Sequence, residues 1–274
     1  MSLNSGILSF LTLSALIATT LFGFDFAARR ASNRVLWVLF LFVPIGLTPT
    51  WLASHSWGFF EWGKLYTIIG TACVLVWFRG SQNWRYHSSG KILLYLFALN
   101  ISEAILVDLQ AGTPAGLING LAGFVLILNL PKSGPQRIVN RHVSDVLFPG
   151  FNRLWIVSFT VWNLTFLHNH YPVIFGHHLV VLGVPLAIGL RNTERWLQAR
   201  IWLLAVDLMV LATFRSRIVP FLDTTHWYSP RVDVWAAGLS LALSVIAYLS
   251  TKLTRTAELE LSDSKSFRNN CESL

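Results

Sequence analysis

Glu103 stands in the middle of the apolar run LLYLFALNISEAILVDLQ, with Asn100 one helical turn before it and Gln110 two turns after. In a helix Asn100 and Glu103 share a face and Gln110 returns to it. Asp108 points about 140° away, towards the end of the run. An ionisable side chain at the centre of a bilayer costs roughly 2.5–3.5 kcal/mol on insertion scales. It is retained where it faces other helices or a cavity and serves a function there. A carboxyl at Glu103, wrapped in apolar groups, is expected to act as a proton donor in a dry cavity.

Two further groups of residues have the same character. Asp207 lies midway along LLAVDLMVLATF, so it is expected either to share a cavity with Glu103 or to pair with an arginine such as Arg200. The stretch FTVWNLTFLHNHY brings Thr160, Trp162, Asn163 and Thr165 to membrane depth, followed by His168 and His170. Its polar groups are suited to bonding across helices or holding a ligand. With His55, His177, His178 and His226 they make a set of histidines at span ends. No matching array of carboxylates accompanies them, so they are read as interfacial and no metal site or cofactor is expected. Lys64, in FFEWGKLYT, is read as snorkelling to the interface in preference to pairing with Glu61.

The elements that must position these residues follow from composition. Of 274 residues 54% are hydrophobic and 12% charged, against about 25% charged in a soluble domain. The mean hydropathy is +0.54. Apolar runs of about twenty residues alternate with short basic segments, the pattern of membrane spans. The fold class is therefore an all-α, polytopic transmembrane helical bundle of seven to nine spans. They are placed at about 7–24, 35–53, 64–79, 92–109, 114–130, 154–170, 173–190, 198–214 and 234–251. The third and fifth are the candidates for tilted or re-entrant helices. Residues 1–253 form one transmembrane domain, and 254–274 a polar tail expected to be disordered and cytoplasmic. The connection 131–153, rich in proline and glycine, is read as a cytoplasmic loop with a short amphipathic helix on the membrane surface.

Every second connection is basic: Arg29, Arg30 and Arg34; Arg79, Arg85 and Lys91; Lys132, Arg137, Arg141 and Arg153; Arg191, Arg195 and Arg200. The positive-inside rule puts these in the cytoplasm, with the N-terminus outside and the C-terminus inside. Labelling from outside of a cysteine at position 137 would overturn this orientation. The net charge of +8 is thereby accounted for by topology, and nucleic acid is not an expected partner. The first span has no basic residue before it and three after it, so it reads as a reverse signal-anchor. Cys73 and Cys271 lie too far apart along the pattern to form a disulfide or a metal knuckle. The sequons at Asn100 and Asn163 fall inside spans and are not read as glycosylation acceptors. Trp51, Trp57, Trp62, Trp84, Trp155 and Trp227 sit near span ends, as belt residues do.

From FFEWGKLYT through LFALNISEAILVDLQ, LINGLAGFVLIL, FTVWNLTF and ERWLQARIWLL, over about residues 57–214, the chain resembles a bacterial integral-membrane family of unknown function. Asn100, Glu103, Asp108 and Gln110, then Asn119-Gly120, Trp162-Asn163 and Trp196-Leu197-Gln198 with Arg200, carry that resemblance. Asp207, His168 and His170 depart from it. In size, span number and intramembrane acids the chain is also similar to the small integral-membrane terpene cyclases of fungal meroterpenoid pathways, of the ascochlorin and ascofuranone type. That similarity implies a cofactor-free enzyme in the lipid bilayer. It would protonate an epoxide or alkene on a prenylated aromatic substrate and guide closure of the cation. Glu103 would be the acid and Asp108 or Asp207 its partner or terminal base. Asn100, Asn163, Trp162 and Gln110 would contact the substrate. The membrane would be the endoplasmic reticulum or another endomembrane in a fungus and the plasma membrane in a bacterium. Two other classes remain: a small-solute or proton-coupled transporter, which should show repeats and broken helices, and an accessory protein whose polar stripe joins helices.

Overall fold

The computed structural model describes the backbone of residues 3–54, 57–80, 87–132, 134–140 and 143–272. His55, Trp84 and Arg85 lie outside the described residues, as do the side chains of the tail basic residues and Cys271. Helices α1 (Leu3–Arg30), α2 (Asn33–Trp37) and α3 (Val43–Ser54) open the chain, with a π-helical turn (Val38–Phe42) joining the last two into one rod. Then come α4 (Phe59–Gly80), α5 (His87–Ala111), α6 (Pro114–Leu128), α7 (Arg153–His170), α8 (Phe175–Arg191), α9 (Trp196–Leu222) and α10 (Pro230–Glu272). All nine expected spans are helical. Seven segments among the described residues are long and apolar enough to cross a membrane, and the protein is a multi-pass membrane protein. The segment from residue 254, expected to be disordered, continues α10 to Glu272.

Helix ends are set by local chemistry. Asn152 caps α7 by accepting from Trp155 N at 2.8 Å. Thr113 caps α6 from its side chain, with Pro114 at the first position where its missing N–H costs nothing. Gly112, at a φ of 64°, makes the tight turn from α5 to α6.

The loop between α6 and α7 corrects the sequence expectation. It holds an antiparallel hairpin, β1 (Gln136–Asn140) against β2 (Val143–Leu147), where a surface helix was expected. The alternating, β-branched segments RIV and VSDV favour strands. Val146 and Leu147, at the end of β2, are buried. A clasp then fixes the hairpin to the helix ends. Arg29 donates from Nε and Nη2 to both oxygens of Asp145 at 2.8 and 2.6 Å. Gln198 donates to the same carboxylate at 3.0 Å and accepts from Val146 N. Arg195 donates to Asp25 at 2.8 Å, and Arg79 donates to the carbonyls of Ala28, Arg29 and Ala31. The basic connections thus gather at one end of the bundle. Burial works against the Asp145 carboxylate, yet the bonds from Arg29 and Gln198 and the nearby Arg195 charge hold its pKa below the ordinary value.

Small residues let the helices close in. A Cβ on Gly123 would lie 2.8 Å from Ile105 Cγ1 and from Trp162 Nε1, so α6 meets α7 only through glycine. Buried Ala237, Ser240, Ser244 and Ala247 line one face of α10 at helical spacing, and α10 packs on α6 and α7. The core is aromatic where α5, α7 and α9 meet: Phe97, Phe151, Trp155, Phe159 and Trp196 form one cluster of edge-on and tilted contacts, with Trp155 and Phe159 stacked at 5.5 Å. Trp155 and Trp51 are therefore core residues and not belt residues, 1% and 0% exposed. Trp51 also donates to Thr213 Oγ1 at 3.1 Å. Short spacing from a span end does not say which way a ring points. The opposite surface carries exposed Leu16, Phe26, Phe42, Tyr95 and Trp235, as a lipid-facing surface does.

Candidate functional site

Lys64 lies on the second turn of α4 with its ammonium turned inward. It donates to the carbonyl of Asn100 at 2.8 Å and sits 3.4 Å from Glu103 Oε2. Thr67 Oγ1 is also 3.4 Å from that oxygen. This corrects the snorkelling expectation: a lysine and a glutamate at membrane depth cost least when each is the other's partner. Glu103 is thus an ion-pair member and not a lone carboxyl.

Beside the pair lies a cavity of about 140 Å³. Trp57, Phe60, Trp162 and Phe166 supply aromatic walls, and Leu65, Ala104, Leu204 and Leu208 aliphatic ones. Lys64, Asn100, Asn163, His178 and Arg200 supply polar groups within it; Glu61, Tyr171 and Arg215 stand together at its other end. Its wall follows α9 from Arg200 to Arg215, roughly 22 Å at 1.5 Å per residue. Tyr171 is pushed up to about 12 by burial and by the Glu61 charge, against Arg215, so its phenol keeps its proton.

Of the residues expected to form the site, Asn100, Trp162 and Asn163 line this cavity; Glu103 does not line it and stands behind Lys64, which does. Trp162 is fixed by donating from Nε1 to the carbonyl of Asn119 at 2.9 Å. Thr160 and Thr165 bond carbonyls of their own helix. Gln110 is on an exposed face of α5. Asp108 and Asp207 do not reach the cavity. Asp108 is fully buried, accepting from Asn119 at 2.8 Å and lying 2.8 Å from His170 Nε2. Asp207 lies 2.6 Å from His177 Nε2 and 3.9 Å from His178 Nε2. With His177 it borders a second, wider cleft between α1 and α9, of about 1200 Å³.

Sequence reasoning missed these histidine–aspartate pairs. Besides the two above, His168 Nδ1 is 2.5 Å from Asp233 Oδ1, both buried. A signal was present: three aspartates and four histidines at one end of the spans, each acid needing a partner. It also missed Arg200, read only as a possible partner of Asp207. The Arg200 guanidinium lies 5.8 Å over the Phe159 ring, and its Nε and Nη1 have no hydrogen-bond partner. Among the described residues no three histidine, cysteine, aspartate or glutamate side chains come together as a metal would require.

These features define a class: a helical membrane protein with an aromatic-walled cavity lined by a lysine that a glutamate pairs from behind and by an arginine with no bonded acid. The chain belongs to the family of unknown function DUF5692, which matches residues 4–265, well beyond the stretch that carried the resemblance. No curated protein and no solved structure matches it.

Proposed function

We propose that the protein is a membrane-embedded terpene cyclase, protonating an epoxide or alkene of a prenylated aromatic substrate and guiding closure of the cation in the α4–α5–α7–α9 cavity. The observation that carries the reading is Lys64, paired with Glu103 behind it, in the wall of an aromatic-lined cavity. Lys64 presents the proton to the epoxide oxygen while Glu103 balances its charge. The C–O bond breaks as the neighbouring alkene closes the ring. Phe and Trp faces steady the cation, apolar walls keep water from trapping it, and Glu61 accepts the proton that leaves. This moves the base from Asp108 and Asp207, which histidines hold elsewhere. Membranes carrying the protein, incubated with epoxidised prenyl-phenols, should yield isomers of unchanged mass; Lys64→Met and Glu103→Gln should not. Absence of any isomer from the intact protein across a panel of chain lengths would sink the reading.

One observation favours proton-coupled transport. Asp207 and His177 border the wide cleft while His178, 3.9 Å from Asp207, borders the cavity, so these side chains bridge two voids. Proton uptake by liposomes containing the protein, driven by an imposed solute gradient and lost in Asp207→Asn, would favour the transporter; no uptake would remove it.

A further inference from the structure

Arg200 is 5% exposed and Asn100 8%, deep in the bundle, and both border the cavity. Arg200 Nε and Nη1 and Asn100 Nδ2 have no hydrogen-bond partner. All three are donors. The carboxylate in electrostatic reach of Arg200 is that of Asp207; its Oδ1 bonds His177, and its Oδ2, though without a hydrogen-bond partner, forms no ion pair with Arg200. Lys64 is already matched by Glu103 and the Asn100 carbonyl. Buried donors left unmatched are costly, and a guanidinium without a bonded acceptor more so.

A void of about 20 Å³ beside Asn100 and Arg200 has room for one water. One water accepts two hydrogen bonds and carries no charge. It serves at most two of the three donors and leaves the guanidinium charge unbalanced.

We infer that the inner end of this cavity, at Arg200 and Asn100, binds the anionic oxygen head, carboxylate or phosphate, of an amphiphile whose apolar chain extends along α9 towards Glu61 and Arg215. An oxyanion accepts several hydrogen bonds at once and neutralises the guanidinium, which a water or an alcohol does not. The aromatic and leucine walls beyond it suit the chain. This deepens the reading of the cavity as a substrate chamber and rests on it. It adds the direction of entry: charged head innermost at Arg200 and Asn100, with the chain running past Lys64 towards Glu61 and Tyr171.

The test is equilibrium binding to the full chain in nanodiscs of zwitterionic lipid, with empty nanodiscs as blank. Radiolabelled laurate is the probe, and dodecyl phosphate, methyl laurate and dodecanol are the competitors. Saturable laurate binding is expected, with laurate or dodecyl phosphate competing at least 10-fold better than methyl laurate or dodecanol. The better of the two anions identifies the head as carboxylate or phosphate. Arg200→Met should weaken laurate at least 10-fold and leave methyl laurate unchanged, while Arg200→Lys keeps part of the preference. Equal competition by acid and ester, no saturable laurate binding, or full laurate binding by Arg200→Met would each overturn the inference and leave the donors to buried water. Should Arg200→Met fail to fold, the acid-to-ester ratio of the unaltered protein decides alone. Isomerisation of neutral prenyl-phenols is a separate readout: lost anion preference with isomerisation intact fails this inference alone, whereas no isomerisation by the unaltered protein fails the reading it rests on.

Discussion

Two arginines near the ends of their helices, Arg29 and Arg200, are treated in opposite ways. Arg29 meets Asp145 through two parallel bonds, and Gln198 and Arg195 complete the carboxylate's surroundings. Arg200, only five residues beyond Arg195 on the chain, keeps two nitrogen atoms unmatched beside a cavity. The first arrangement is a structural clasp in which each arginine is hydrogen-bonded to an acid. The second holds an unspent charge, and a fold keeps such a charge where something else supplies the partner. The comparison separates the part of the molecule that holds it together from the part that acts.

Substitutions should break that contrast in a fixed order. Asp145→Ala leaves Arg29 and Arg195 facing one another without their shared carboxylate, and it should cost about 3 kcal/mol, at the low end for a broken buried pair. Denaturant unfolding in detergent measures it, and a loss below about 1 kcal/mol would mean that the clasp is ornamental. Lys64→Met and Glu103→Gln should each cost about 2 kcal/mol, less than a fully buried pair because both side chains are about one-fifth exposed. The double variant should recover part of that loss. Additive losses in the cycle would show that the two residues do not act as a pair.

Gly123→Ala drives a methyl into Ile105 and Trp162 and should cost roughly 1–3 kcal/mol as overpacking, narrowing the cavity at the same time. A variant as stable as the parent would place α6 further from α7 than described. The Asp145 clasp also gives a pH dependence. Arg29 from α1, Arg195 beside α9 and the Asp25 carboxylate face it. Its folded pKa is depressed, so the unfolded chain takes up protons first as the pH falls. The stabilisation is complete above the ordinary carboxylate value of about 4 and is lost as pH drops through the lower folded value. Asp145→Asn should flatten that acid limb of the stability curve; an unchanged limb would assign it to other carboxylates.

The smallest effect is expected at Arg200. Arg200→Met exchanges an unmatched buried charge for an apolar side chain, so stability should change by less than about 0.5 kcal/mol or rise. A loss comparable to that of Asp145→Ala would make Arg200 a second structural clasp and erase the contrast.

The membrane bundle and the helical nature of all nine apolar runs were legible in the sequence, seven of them long and apolar enough to cross a membrane, because hydropathy is a property of local runs and needs no partner to be read. The stripe of Asn100 and Glu103 was legible for the same reason: helical spacing puts them on one face whatever surrounds it. What a single chain cannot carry is the rotation of one helix against the next. Packing through Gly123 and the small face of α10 decided that for α6 and α7, and the packing of α4 on α5 and α9 decided the pairing of Lys64 with Glu103, 39 residues apart on the chain. The same rotations sent Asp108 to His170 and Asp207 to His177, away from the cavity. The hairpin escaped the reading because a charged, proline-bounded loop gives strand and helix similar local support. Tertiary contacts from Arg29 and Gln198 selected the strand. Sequence determined which groups lie in the apolar runs; three-dimensional packing decided which find partners, and it leaves Arg200 buried beside the cavity with two nitrogens unmatched.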